Sequence, residues 1–207
     1  LACFSKISNI ILAEYEFKWK NYSIACDLMM KNYLSEKNLY DFAVDMLTIN
    51  EFEYAEKILT YLLESSDNDI VESSIYQLAV ILEKRAQSNL LKLPISNKFI
   101  STSFSELKPF GASEVDFSSS SILSAIMMYD SLIVNYNNPE AKFKLAKLNF
   151  LMNSDYKKSI VDFKELEKTS TSKDIRFQSA IKIIDLHVLS DTIDQSLLDL
   201  IVNFKKK

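Results

Sequence analysis

His187 is the one histidine in a chain of 207 residues, with Asp185 two positions before it and Asp191 four after. A Ser–His–Asp relay needs a histidine oriented by a carboxylate and a serine held on a strained turn beside oxyanion donors. Serines are abundant, but none stands in such a turn pattern. His187 therefore reads as a surface or partly buried member of a helix over 175–189. A zinc or iron site would need several His and Cys at close spacing. Cys3 and Cys26 lack any such neighbours and, without a paired spacing, declare no redox compartment. Glu14 and Glu16, and Glu51, Glu53 and Glu56, read as solvated charges on helix faces rather than as the paired acids of a cleft. The expectation is a chain that is not an enzyme and that holds no metal or cofactor.

Two other groups invite a chemical reading. Leu1-Ala2-Cys3 looks like the end of a bacterial lipoprotein cleavage box, in which Cys3 would carry the lipid. The same Cys3 fits an apolar stripe with Phe4, Ile7, Ile10 and Ile11 at helical spacing. In Lys18-Trp19-Lys20, Trp19 reads as a turn aromatic that staples two helices, with contact to a membrane surface as the competing reading.

The elements that must carry these residues follow from composition and period. Apolar residues make up 48% and charged residues 25%, ordinary values for a chain that buries a core. With 24 basic against 28 acidic residues, the chain lacks the electrostatic footprint of a nucleic-acid binder. No run of about 18 apolar residues exists to span a membrane. The single glycine nearly excludes phosphate-cradling loops and most hairpins, which use glycine for positive φ or close backbone approach. What remains is a helical protein.

An internal repeat organises the helices. Ala13, Ala43, Ala79, Ala146 and Ala180 are spaced by 30, 36, 67 and 34 residues, each inside an apolar helical pattern. About twelve residues after Ala13 and Ala43, and thirteen after Ala146, a second small residue opens another helix: Ala25, Ala55 and Ser159. Small residues are needed where neighbouring helices approach closely, and large apolar residues three and four positions away fill the rest of the interface. Thr48–Phe52 and Asn153-Ser154-Asp155 read as turns within a pair. Asp67–Asp69, Asn137-Asn138-Pro139 and Thr171–Asp174 read as handovers between pairs, where turn and N-cap residues belong. Ser190-Asp191 caps the helix of Ala180, ahead of Ile193, Leu197 and Leu200.

These units resemble the tetratricopeptide repeat family. The nearest are Ala43, Phe52, Ala55, Leu59 and Leu62, and Ala146, Tyr156, Ser159, Phe163 and Leu166. The glycine usual after the first helix is Asn50 or Ser154 here. The resemblance covers nearly the whole chain. It implies an all-α fold, a right-handed solenoid of about five antiparallel helix pairs, forming one domain over 1–207 whose concave face binds proteins.

The third pair is interrupted. Ala79 and its equivalent Ala125 stand 46 residues apart, which leaves an insertion at 87–120 holding Pro94, Pro109 and Gly111. The segment is rich in serine, as a linker would be, yet it carries Leu91, Phe99, Phe104, Phe110 and Phe117 among its large apolar groups. It is expected to pack on its own solenoid, either binding a partner or covering the groove.

The register places three columns on the concave face. Three residues before each alanine stand Ile10, Tyr40, Tyr76, Phe143 and Phe177; one after stand Glu14, Val44, Val80, Lys147 and Ile181; four after stand Phe17, Leu47, Glu83, Phe150 and Ile184. The candidate partner-binding residues are Tyr40, Val44, Leu47, Tyr76, Val80, Phe143, Phe150, Phe177 and Ile181. A shift of one position would instead send them into the core. The expected function is a non-enzymatic scaffold or adaptor that takes a partner's amphipathic helix or extended hydrophobic segment. A self-associating structural subunit is the alternative. A composition rich in Lys, Asn, Ile and Ser suits an AT-rich bacterial genome, and with Leu1-Ala2-Cys3 it suggests a periplasmic, membrane-tethered role in envelope assembly.

Overall fold

A computed structural model describes residues 2–90, 120–153 and 155–190 of the chain. Among the described residues there are nine helices and no strand: α1 (Ala2–Lys18), α2 (Tyr22–Asn32), α3 (Glu36–Thr48), α4 (Phe52–Leu62), α5 (Asn68–Leu90), α6 (Ser120–Tyr136), α7 (Pro139–Asn153), α8 (Tyr156–Thr169) and α9 (Lys173–Leu189). The chain divides into two compact units, Leu1–Ile81 and Leu82–Lys207, with the division inside α5.

Side-chain chemistry fixes where the helices start. The hydroxyls of Ser35 and Ser172 and a carboxylate oxygen of Asp155 accept hydrogen bonds from Asn38 N (3.1 Å), Ile175 N (3.4 Å) and Lys158 N (3.0 Å). Each satisfies an amide that has no partner within its helix. Asn138 Oδ1 accepts from Ala141 N at 2.7 Å, and Pro139 takes the first helical position, where its missing N–H costs nothing. The turns expected at Thr48–Phe52, Asn137-Asn138-Pro139 and Thr171–Asp174 all coincide with these boundaries.

The stops explain how the chain manages with one glycine. Asn50 and Lys20 both adopt φ of 65°. Around Asn50, Glu51 N donates to Met46 O and Asn50 N to Leu47 O; around Lys20, Asn21 N donates to Glu16 O and Lys20 N to Phe17 O. These are paired bonds that close a helix through one left-handed residue, a place usually taken by glycine. Asparagine tolerates that conformation better than most residues. Lysine does not, and it pays a steric penalty.

In unit 1, α1 packs on α2 and α3 on α4, with α2 also touching α3 and α4. Three residues or fewer join the helices of α1/α2 and α3/α4, so each of these pairs folds back on itself as an antiparallel hairpin. Leu39, Met46, Ile58, Leu59 and Leu62 are fully buried at the centre. In unit 2, α6 packs on α7, α7 on α8 and α8 on α9, and α7 also meets α9. Its interior holds Ile122, Tyr129, Leu132, Leu148, Phe163 and Ile183. All five first-helix alanines are buried, as are Ala25, Ala55, Ala125 and Ser159 of the second helices. Helix-on-helix packing at recurring small residues is consistent with a helical repeat.

The 87–120 insertion is described only at its ends. Residues 87–90 continue α5 as helix, and α6 begins at Ser120. Leu91, Phe99, Phe104, Phe110 and Phe117 lie outside the described residues, as do Ser154, Asp191, Ile193, Leu197 and Leu200.

Candidate functional site

α1 is apolar on two sides. Ile10 and Ala13 are buried and Phe17 is half-buried, and together they form its inward face. Phe17 meets Tyr22 and Phe42 edge to face, with ring centroids 5.7 and 5.6 Å apart. Phe17, not Trp19, is therefore the aromatic that joins neighbouring helices. Trp19 is 77% exposed just past the last turn of α1. Trp19 stands four residues after Tyr15, in line with the exposed side of α1 rather than with Ile10, Ala13 and Phe17. Ile7, Ile11 and Tyr15, at intervals of four, continue the outward row toward Trp19, with Leu12 and Ile24 also exposed. The apolar stripe read around Cys3 is thus split, Ile10 going inward and Ile7 and Ile11 outward. Cys3 lies in the first turn of α1.

On α3 and α5, Tyr40, Val44, Tyr76 and Val80 are half-buried, and Leu47 is buried. Gln77 Nε2 donates to Tyr40 Oη at 3.4 Å, so this part of α5 lies beside α3 within unit 1. These residues give unit 1 a partly open aromatic and aliphatic face. In unit 2 the same columns fare differently. Phe143 and Phe150 are buried in the cluster with Ile160, Phe163 and Leu186. Phe143 meets Phe163 edge to face at 5.5 Å, and Phe150 meets Tyr156 at 5.2 Å. Phe177 and Ile181 are exposed on α9.

Unit 2 also gathers charged side chains that no motif announced. Glu83, in the last turns of α5, accepts through Oε2 from Tyr129 Oη and from Lys144 Nζ, both at 3.0 Å. Its side chain is 5% exposed and that of Lys144 25%. Lys182 Nζ pairs with Asp185 at 3.0 Å on α9. Lys147 lies one turn after Lys144 on α7, is half-buried, and among the described residues makes no ion pair. Burial pushes its amine below the usual lysine range, and the ammonium groups of Lys144 and Lys182 add to the effect against the pull of Glu83. The signal was present in the sequence, since Glu83 and Lys147 stand in the concave columns. Only the packing of α7 with α9 brings Lys182 to them.

His187 is buried, not at the surface, because Leu186 and Ile183 carry that side of α9 into the core. Its neighbour Asp185 is ion-paired with Lys182 at 3.0 Å, and Asp191 lies outside the described residues. The Cys26 thiol is buried and pushed up by desolvation, which disfavours the reactive thiolate. Among the described residues no group of three or more His, Cys, Asp or Glu is placed to hold a metal, and no helix is long and apolar enough to cross a membrane.

No family model, curated protein or solved structure matches this chain.

Proposed function

We propose that the chain is a non-enzymatic scaffold, a solenoid of tetratricopeptide-like helix pairs that holds another protein against apolar side chains of unit 1. The observation that carries this reading is the exposed row Ile7, Ile11 and Tyr15 of α1, continued by Trp19 just past its end, with Leu12 of α1 and Ile24 of α2 exposed as well. Scattered exposed apolar residues are ordinary, but a contiguous row on one helix face marks an interaction surface. Tyr and Trp in such a row are the side chains that anchor interfaces, because each buries a large area at little entropic cost. The half-buried Tyr40, Val44, Tyr76 and Val80 provide a second apolar face in the same unit. A partner's amphipathic helix or extended hydrophobic segment fits surfaces of this kind. The repeated burial of small residues supports the solenoid.

The test is affinity capture from the native cell with three forms of the intact chain: unaltered, Ile11→Ser/Trp19→Ser, and Tyr40→Ala/Tyr76→Ala. The expected result is a partner held by the unaltered chain and lost from one of the variants, with helicity unchanged by circular dichroism. A partner retained equally by all three overturns the assignment of these faces. The alternative is self-association through the α1 row, favoured by the same exposure. Light scattering separates the two: a mass that doubles with concentration, and returns to one copy in Ile11→Ser/Trp19→Ser, supports the self-associating subunit.

A further inference from the structure

Two tyrosines from different hairpins of unit 1 meet hydroxyl to hydroxyl. Tyr33 directly follows α2, and Tyr61 stands in the last turn of α4. Their Oη atoms are 2.9 Å apart, a hydrogen bond in which either hydroxyl can donate. The rings meet edge to face, with centroids 6.2 Å apart and planes inclined by 68°. A small oxidant reaches them from solvent, since Tyr61 is 43% exposed and Tyr33 half-buried. The thiol of Cys26 in the same unit is buried, so it competes poorly for such an oxidant.

We propose that Tyr33 and Tyr61 form an oxidative cross-linking site, coupling to a dityrosine when a haem peroxidase with hydrogen peroxide acts on the chain. Each phenol gives one electron to the oxidant and its hydroxyl proton to solvent. The unpaired electron of each phenoxyl radical is shared with the ring carbons beside the hydroxyl-bearing carbon, the Cε atoms. One carbon–carbon bond forms between a Cε of Tyr33 and a Cε of Tyr61. The hydrogen on each of those carbons leaves as a proton, the electrons of its C–H bond restore the aromatic ring, and each oxygen takes up a proton. The two rings together lose two hydrogen atoms, as two electrons and two protons, and one hydrogen peroxide is reduced to two waters. The hydroxyl contact favours this step because each reacting carbon neighbours the carbon that bears its hydroxyl. Rings joined in this way stay twisted about the new bond, so their inclined planes suit the product. Holding the two radicals in contact replaces a chance encounter by a step within one chain. The bond joins the α1/α2 hairpin to the α3/α4 hairpin across 28 positions, and it restricts the unfolded chain as a disulfide does. The inference stands apart from the scaffold reading, since it concerns a contact inside unit 1 and needs no partner protein.

The test treats the dilute full chain with a haem peroxidase and hydrogen peroxide, then maps tyrosine-to-tyrosine links by peptide mass spectrometry. The expected product joins the Tyr33 and Tyr61 peptides with the loss of two hydrogen atoms. Its yield should be several-fold above that of any other link within one chain, and unchanged on dilution. Links between chains, as through the exposed Tyr15, fade on dilution and are thereby told apart. In concentrated urea the yield should fall to that of the other tyrosine pairs. The cross-linked chain should unfold at a higher urea midpoint than Tyr61→Phe treated in the same way, a variant that keeps the ring and loses the link. A Tyr33–Tyr61 link that is absent, no more abundant than other links within the chain, or undiminished in urea overturns the proposal. A midpoint equal to that of treated Tyr61→Phe overturns the bracing of the two hairpins. If that variant fails to fold, Tyr33→Phe takes its place, and the comparison of native and urea-treated chain decides the coupling by itself.

Discussion

Replacing Lys144 by Met leaves the Glu83 carboxylate in unit 2 with the Tyr129 hydroxyl as its remaining hydrogen-bond partner there. The Glu83 side chain is 5% exposed, so little water reaches it to replace the lost ammonium. Breaking a buried pair by removing one member costs about 3–5 kcal/mol when both are fully enclosed. Lys144 is one-quarter exposed and Tyr129 still donates, which brings the expected loss to roughly 2–3 kcal/mol. Urea unfolding followed by circular dichroism reads this as a fall of about 0.7–3 M in the midpoint of unit 2, given slopes of about 1–3 kcal/mol per M. The companion is Glu83→Met/Lys144→Met/Tyr129→Phe, which removes carboxylate, ammonium and hydroxyl together and leaves no buried polar atom of the network unpaired. It is expected within about 1 kcal/mol of the unaltered chain, far from additive. A Lys144→Met variant that unfolds within about 0.5 kcal/mol of the parent would refute the reasoning, because Glu83 would then be hydrated rather than dependent on Lys144.

Lys20→Gly should stabilise unit 1 by roughly 0.5–1 kcal/mol, the left-handed penalty relieved less the extra freedom of glycine in the unfolded chain; Lys20→Ala, which keeps a Cβ, should show no gain, and a gain from both would mean the backbone is not the cause. Asp162, on α8, is held above the usual carboxylate range chiefly by burial. Its proton is bound more tightly in the fold than in the unfolded chain, so its contribution to stability falls as pH rises through the interval between the two values, and is least favourable at neutral pH. Asp162→Asn should therefore raise the melting temperature at pH 7 and lose that advantage near pH 3, and a benefit independent of pH would refute the titration.

The helices were legible because their boundaries are written in local chemistry. Ser35, Asp155, Ser172 and the Asn138–Pro139 pair announce starts, and each makes the amide contact or takes the position that the residue type implies. The alanine spacing was legible for a steric reason: the sites where helices press together admit no larger side chain, and those residues are buried. The faces were harder to read. Tyr40, Tyr76 and Phe143 occupy one column of the repeat, yet Tyr40 and Tyr76 stay half open while Phe143 is enclosed by Phe163. The column is the same and the neighbours differ, and a single sequence does not tell which residue of the next helix will reach across. Trp19 escaped the reading because a turn aromatic was expected to staple two helices, whereas its spacing of four from Tyr15 puts it in line with the exposed side of α1. The Glu83–Lys144–Lys147–Lys182 cluster joins positions spread over a hundred residues, and helical periodicity carries no information at that range.

The hairpins described above have a consequence for how the chain reaches its fold. Helices joined by two or three residues meet partners that are already close along the chain, so little loop entropy is lost before contacts form. Proteins dominated by such contacts fold in microseconds to milliseconds, and their hairpins open and close as separate cooperative segments. For α1 with α2, or α8 with α9, hydrogen exchange should therefore report protection that rises and falls by pair rather than by residue. A partner that fastens onto one pair would slow exchange there first, and the exchange pattern would map where it binds.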